Sequence, residues 1–504
     1  MDVLCDELVQ EILRRLPASA APSVSLVSKR WLFLLRSCTT SLSLRIPSHL
    51  SAADGAPALS SVLGCFPSLA ELTIVSNRED DEANGADELL LAIAAAPCSS
   101  RLAHLRFLPA SQLSPFALVS SAAAFSRLTS LQIASRLPLS FRWLSSLPAL
   151  KSFSFVRSRS KQSPALAAHG GELSGQAPPD LTSTDNRDYC DSDQSAVRML
   201  PIESLSLSGI CADDRCLSWL WYRCAALRWL QLRACDGTGD DPSSPAFPLC
   251  LPGLLGLELR TCRSIADRVL LHAADHCRAL TSLLIYDGGS SDALHHFIHR
   301  RGAALRTLDL RLPLDLNNDH LLAIAADDRL RSASGQSELG HQLAALRLHS
   351  CCLVTGDGLR SLARSPAGAA IEELALVNCD VVEREPGLLT FLSQNMLRLQ
   401  RLDLSHNETF TDKEVGSMLA SCRNLMEIRL RGCRALTGVS LTSLLKHCGR
   451  QVEVVDVSRC PNISSDAVES LVMNASRLSQ LLIEESKLTE AAKLWLSRKA
   501  IKIS

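Results

Sequence analysis

Apolar residues recur along most of this chain at offsets 0, 3, 5 and 8, with polar or small residues between them. Leu425–Cys433 reads LMEIRLRGC, and the same skeleton returns at Val452–Cys460, Leu227–Cys235, Leu254–Cys262, Leu343–Cys351 and Ile371–Cys379. Leu399–Asn407 puts asparagine where the others put cysteine. A looser set lacks the final cysteine, as in Leu72/Ile74, Leu105/Phe107, Leu131/Ile133, Phe153/Phe155, Leu205/Leu207, Leu283/Ile285, Leu308/Leu310 and Leu481/Ile483. Roughly fifteen copies occur at a period of about 26 residues, within the range of stacked repeat units.

Offsets 3 and 5 are two apart, and residues two apart on a strand face the same side. Ile428 and Leu430 are therefore expected to point inward, and Glu427, Arg429 and Arg431 outward. One short strand cannot bury its inner face alone, so the units must stack into a parallel sheet. After the cysteine or asparagine, apolar residues return at helical spacing, as in Val415/Met418/Leu419 and Leu441/Leu444/Leu445. Each unit is predicted to be strand, turn, helix.

The first forty-odd residues break this pattern. In Leu4–Pro17, LCDELVQEILRRLP, the residues Leu8, Ile12 and Leu16 lie at four-residue steps on one helical face, and Pro17 ends the helix. A second helical stripe follows in Ser25–Ser37, with Val27, Trp31 and Leu34/Leu35. The strand pattern is not apparent before about residue 60.

Composition agrees with a repeat array. A chain of 504 residues exceeds what one compact core serves, and 46% hydrophobic residues with only 4% aromatics leave leucine to carry the packing. A net charge of −1 gives no electrostatic footprint for nucleic acid or anionic lipid. The 19 cysteines include no C-x-x-C pair and read as small buried apolar side chains of a reducing compartment, cytosol or nucleus. No apolar run approaches the roughly 20 residues of a membrane span.

With these residues in view, two resemblances stand out. The unit L-x-x-L-x-L-x-x-C followed by C-x-x-(Ile/Leu)-(Thr/Ser)-x-x-x-(Leu/Val) resembles the cysteine-containing class of leucine-rich repeats. The N-terminal pair of stripes resembles the F-box, through Leu4, Glu7, Leu8, Ile12, Leu13, Leu16 and Pro17, then Leu26 through Trp31. Cys5 departs from the usual proline, and Ala20–Pro22 replace an acidic-Leu-Leu stretch. The fold class expected is α/β: a small helical F-box followed by a curved leucine-rich-repeat solenoid, strands concave and helices convex. The expected organisation is an F-box at 1–45, a connector at 46–66, N-terminal repeats at 67–156, a disordered insert at 157–200 and cysteine-containing repeats at 201–504.

The F-box resemblance implies a Skp-type linker protein as partner, and through it the cullin and RING subunits of an SCF ubiquitin ligase. Carried over by position, Leu4, Leu8, Ile12, Leu16, Val27 and Trp31 are the expected linker contacts or the packing directly behind them. The repeats would bind an unknown target through outward strand residues: Arg233, Glu258, Arg260, Asp309, Arg311, Arg347, Asp403, Arg429 and Arg431. Such a chain is a non-catalytic adaptor without a cofactor. Phosphate-loop, dinucleotide, zinc-protease and nucleophile-elbow motifs are all missing from the sequence. His295 and His299, four apart, lack an evident third metal ligand and read as a solvated helix face. Two other readings stay open: a small-molecule co-receptor within the same ligase, and a solenoid scaffold with no ubiquitin role.

Overall fold

The computed structural model describes residues 4–17, 20–47, 52–76, 85–109, 112–136, 139–157, 199–212, 214, 217–239, 246–312, 315–326 and 343–503. The insert expected at 157–200 lies almost wholly outside them. The chain divides into two compact units, the first comprising 1–209, 214–226 and 239–247, the second 210–213, 227–238 and 248–504. Among the described residues no helix is long and apolar enough to cross a membrane.

The first unit begins with three helices: α1 (Asp6–Arg15), α2 (Ala21–Ser25) and α3 (Lys29–Cys38). Acids open α1 and arginines close it, matching the helix dipole, and the Ser28 hydroxyl accepts from Trp31 N at 3.1 Å to cap α3. Val9, Leu13, Val24 and Leu34 form the core of this bundle, with Ala20, Trp31, Leu35 and Cys38 packed against it. Arg30 ties the start of α3 to the start of α1, donating at 2.7 Å to both Asp6 Oδ1 and the Leu4 carbonyl.

Parallel strands follow in this unit: β1 (Ser41–Ile46), β2 (Glu71–Ser76), β3 (His104–Leu108), β4 (Ser130–Ser135), β5 (Ser152–Arg157) and β6 (Ser204–Ser208). The ladder starts one strand earlier than the repeat spacing predicts. β1 pairs along its whole length with β2, and helix α4 (Ala52–Gly64) occupies the stretch expected to be a connector. The signal is weak there because Thr39 stands where other units have their leading leucine, and β1 is only half-buried.

The second unit carries β7 (Trp229–Arg233), β8 (Gly256–Arg260), β9 (Ser282–Tyr286), β10 (Thr307–Arg311), β11 (Ala345–His349), β12 (Glu373–Val377), β13 (Arg401–Asp403), β14 (Glu427–Arg429), β15 (Val454–Asp456), β16 (Gln480–Leu482) and β17 (Lys502–Ile503). All pair in parallel with their sequence neighbours, without slippage. The residues at offsets 3 and 5 are buried from β7 to β16, among them Leu346/Leu348, Leu374/Leu376 and Ile428/Leu430.

Offset 8 turns inward and bonds to the preceding unit. The thiols of Cys262, Cys379, Cys433 and Cys460 donate to the carbonyls of Leu232, Leu348, Leu404 and Leu430 at 3.0–3.4 Å. All described cysteines are free. Burial pushes the thiols of Cys224, Cys277, Cys433 and Cys448 up to about 12, which keeps them protonated and unreactive.

To turn inward, the residue just before offset 8 adopts a left-handed backbone. Ala234, Thr261, Asp287, Leu312, Ser350, Asn378, His406 and Arg459 have φ between 48° and 63°, and Gly432 is the glycine in this series. A β-branched side chain is worst there, and Thr261 is solvent-exposed, so nothing is lost by trimming it. Thr261→Gly should raise stability by about 1 kcal/mol, the relief of left-handed strain minus glycine's extra chain entropy. A urea midpoint equal to or below wild type would refute this.

Candidate partner-binding sites

On the second unit, the residues between inward leucines form rows along the outer strand face. The middle row reads Gln231, Glu258, Leu284, Asp309, Arg347, Ala375, Asp403, Arg429 and Asp456. The next row reads Arg233, Arg260, Tyr286, Arg311 and His349. Eight of the nine expected target-binding residues thus share one face, and Arg431 is exposed just beyond the end of β14.

Many of the charges on this face are bound to one another. Asp309, 1% exposed, accepts from Arg311 Nε and Nη2 at 2.8 Å each, and Arg347 Nη1 lies 3.6 Å away. Glu373 bridges Arg347 and Arg401, the latter at 2.9 Å, and Glu427 pairs with Arg429 at 2.6 Å. Glu258 pairs with Arg260 and accepts from Gln231 Nε2 at 2.6 Å. In the pairs Arg311–Asp309, Arg347–Glu373, Arg401–Glu373 and Arg429–Glu427 the guanidinium is the more exposed partner.

A recess of about 400 Å³ opens between β10 and β14, with Ala375 at its floor and Arg311, Arg347, Arg401 and Arg429 among its walls. Glu373 and Arg401 belong to it. Both stand at offset 2, outward by the same alternation as Glu427, but were not singled out by sequence, because only the register across β11, β12 and β13 brings Glu373 between Arg347 and Arg401. His349 also lines it. Burial first, then the Arg311 guanidinium, hold its imidazole below the usual histidine range, and its Nε2 is sealed from solvent without a hydrogen-bond partner.

Burial pushes the Glu373 carboxyl up, but Arg347 and then Arg401 overcome this and hold it below the ordinary glutamate value. A depressed folded-state pKa contributes stability that is fully present above the unfolded value of about 4.3 and is lost as pH falls through the folded value. Replacing Glu373 by Gln should therefore lower the urea midpoint at pH 7 and progressively less as pH falls below about 4. A gap to wild type that stays constant down to pH 2 would contradict the pairing.

The second surface lies on the helical bundle. Leu4, Leu8, Ile12, Leu16 and Val27 all stand exposed, Leu8 at 54% and Ile12 at 44%. The stripe that periodicity picks out on α1 is thus its outer face, while Val9 and Leu13, one position on, face the core. Trp31 differs from the other expected contacts, being half-buried against that core. A bundle this small leaves a second apolar face unpartnered.

The family model of the F-box domain matches residues 1–43. The chain carries an N-terminal F-box domain. Among solved structures, the crystal structure of the Rad7 and Elc1 complex in yeast aligns with 99% of this chain and 92% of that chain, at 13% identity and a TM-score of 0.36. That likeness is too distant to bear on function.

The exposed face of the F-box domain is larger than the sequence pattern indicates. Leu26 is 86% exposed and Phe33 67%, and both extend the apolar surface beyond the expected residues. Leu26 was visible as part of LVSKRW, but Phe33 sits beside Trp31 and Leu34 in a run where every position is apolar, so spacing could not assign it a side.

The paired histidines stand elsewhere. His295 and His299 stack at 6.4 Å on the helix Ser291–Arg301, and His320 meets His295 edge-on at 5.8 Å. Among the described residues no group of three or more His, Cys, Asp or Glu side chains is arranged to hold a metal ion. Trp221 is buried edge-on against Phe247 at 5.1 Å within the first unit, as a residue of the helix Ser218–Arg223.

Proposed function

We propose that this chain is a substrate-recognition adaptor of an SCF-type ubiquitin ligase. The F-box domain docks a Skp-type linker, which connects it to the cullin and RING subunits. The strand–turn–helix units are leucine-rich repeats of the cysteine-containing class, and their outer strand face binds the target. The chain supplies binding energy and geometry, and its contribution to rate is effective concentration and orientation of the target.

The observation that carries this reading is the apolar face of the F-box domain. Seven large apolar residues stand in water on the helical bundle: Leu8 and Ile12 on α1, Phe33 on α3, and Leu4, Leu16, Leu26 and Val27 in the segments flanking the helices. Contiguous exposed apolar patches on soluble proteins mark partner sites. A bundle of about forty residues is also too small to be robust without further burial.

The test is co-elution of the full chain with a Skp-type linker in size-exclusion chromatography. A stable one-to-one complex supports the adaptor reading. Absence of any complex with a matched linker at micromolar concentrations would make the helical bundle a cap on the repeats, and a scaffold role would take over.

A further inference from the structure

We infer that the recess over Ala375 binds the carboxylate of an acidic side chain on a partner protein. This deepens the adaptor reading, because it names the chemistry of the target and rests on the repeats being the recognition half.

The recess exists because of one small side chain. Ala375 lies in the middle row between Arg347 and Asp403, flanked on both sides by longer groups. The dent above it is walled by guanidiniums from β10, β11, β13 and β14. The accessible layer is mainly cationic, since the arginine-paired carboxylates lie deeper; Asp403, half-buried beside Ala375, accepts from Ser405 N at 2.9 Å. Asp309 is 1% exposed, Glu373 17% and Glu427 19%, against 32–50% for their arginines. Each guanidinium has five N–H donors, and a carboxylate pair occupies at most two or three, so donors remain to face an incoming oxyanion. The acids beneath hold the arginines in place, which lowers the entropy lost on binding.

The charge balance selects a single carboxylate over a phosphate. The four arginines are matched by Asp309, Glu373, Asp403 and Glu427, so the empty site has no net charge to offset the double charge that phosphate concentrates on one group, where a carboxylate brings one. One further positive charge is available from His349. Its ring faces Asp309 and Arg311 from β10, Arg347 from its own strand and Asp403 from β13, with uncharged Val377 beside it on β12. Arg311 disfavours the imidazolium, and an anion seated over Ala375 opposes that field. Carboxylate binding is therefore linked to proton uptake at His349.

The full-length protein is titrated calorimetrically with an acetylated, amidated hexapeptide of alternating glycine and glutamate, with glutarate, and with inorganic phosphate. The peptide should bind more tightly than glutarate, and phosphate no better than glutarate. Peptide affinity should rise by up to about tenfold per pH unit as pH falls from 7.5 to 6.5. His349→Gln should retain binding at pH 7.5 and lose this slope. Ala375→Leu intrudes into the middle of the recess without changing charge and should weaken binding by about tenfold or more, while Ala375→Ser should bind as wild type does. If Ala375→Leu proves misfolded, Arg429→Gln, at a half-exposed position, carries the same expectation of weakened binding.

No peptide binding by wild type, or equal binding by the Leu and Ser variants, overturns the site. Glutarate matching the peptide overturns the protein source, and a preference for phosphate overturns the carboxylate. Failure to bind a linker sinks the adaptor reading and leaves this titration unaffected.

Discussion

Replacing Leu8 and Ile12 by alanine will abolish linker binding while the F-box domain stays folded. Both side chains are exposed on α1, so truncating them removes nothing from the Val9/Leu13/Val24/Leu34 core. Apolar anchors at the centre of an interface cost on the order of 2–4 kcal/mol each when truncated. With full additivity the double variant should bind more weakly by about a thousandfold or more, and with incomplete additivity still by about a hundredfold or more, since each 1.4 kcal/mol is tenfold. Circular dichroism and the thermal midpoint should match wild type, and a binding assay should show no complex at micromolar protein. Undiminished binding by the double variant would move the interface off α1. Trp31→Ala does not make this test cleanly. Trp31 packs against the bundle core, so its loss would weaken linker binding by loosening the fold.

That contrast shows what the sequence could and could not say about the F-box domain. Leu8, Ile12 and Leu16 form a perfect helical stripe, and a stripe is read by default as the face turned inward. Here α1 has two adjacent apolar faces, Leu8/Ile12/Leu16 and Val9/Leu13, and periodicity alone cannot say which one a partner covers. The resemblance to a known domain assigned Leu8, Ile12 and Leu16 by position, and it gave Trp31 as a contact or the packing directly behind one; Trp31 packs against the core.

The strand ladder of the second unit was more legible, for a physical reason. Offsets 3 and 5 must be buried in every unit, so the pattern is imposed anew at each strand and errors do not accumulate. β1 escaped because Ser41–Ile46 lacks the leading leucine. The outer face was legible only as alternation: Arg, Asp and Glu at outward positions. Which arginine meets which acid depends on register across connections of unequal length. Arg311 and Arg347 come to share Asp309 across 36 residues of chain, whereas Glu373 and Arg401 meet across 28. The recess over Ala375 was invisible for the same reason, since an alanine in a strand signals nothing until its neighbours on both sides are known.

The asparagine at offset 8 carries the other large expected effect. Asn407 is 1% exposed and holds two units together. Its Oδ1 accepts from Cys379 N at 2.9 Å, and its Nδ2 donates to the carbonyls of Leu376 and Leu404 at 2.8 Å each. Leu404 O also receives the Cys433 thiol, so it keeps a partner if Asn407 is lost. Asn407→Leu would leave the Cys379 amide and the Leu376 carbonyl without these bonds inside the stack, at about 1–3 kcal/mol each. The expected loss is therefore on the order of 2–6 kcal/mol, a large part of what a domain commonly has. Asn407→Cys is the informative control. Cysteine occupies this position in neighbouring units, where its thiol donates to the preceding carbonyl and its sulfur, a weaker acceptor than an amide oxygen, takes the preceding amide, as Cys262 does from Cys235 N at 3.4 Å. The Cys variant should lie between wild type and the Leu variant in urea denaturation. Equal midpoints for Cys and Leu would mean that side-chain volume at offset 8, and not hydrogen bonding between units, sets the stability of the stack.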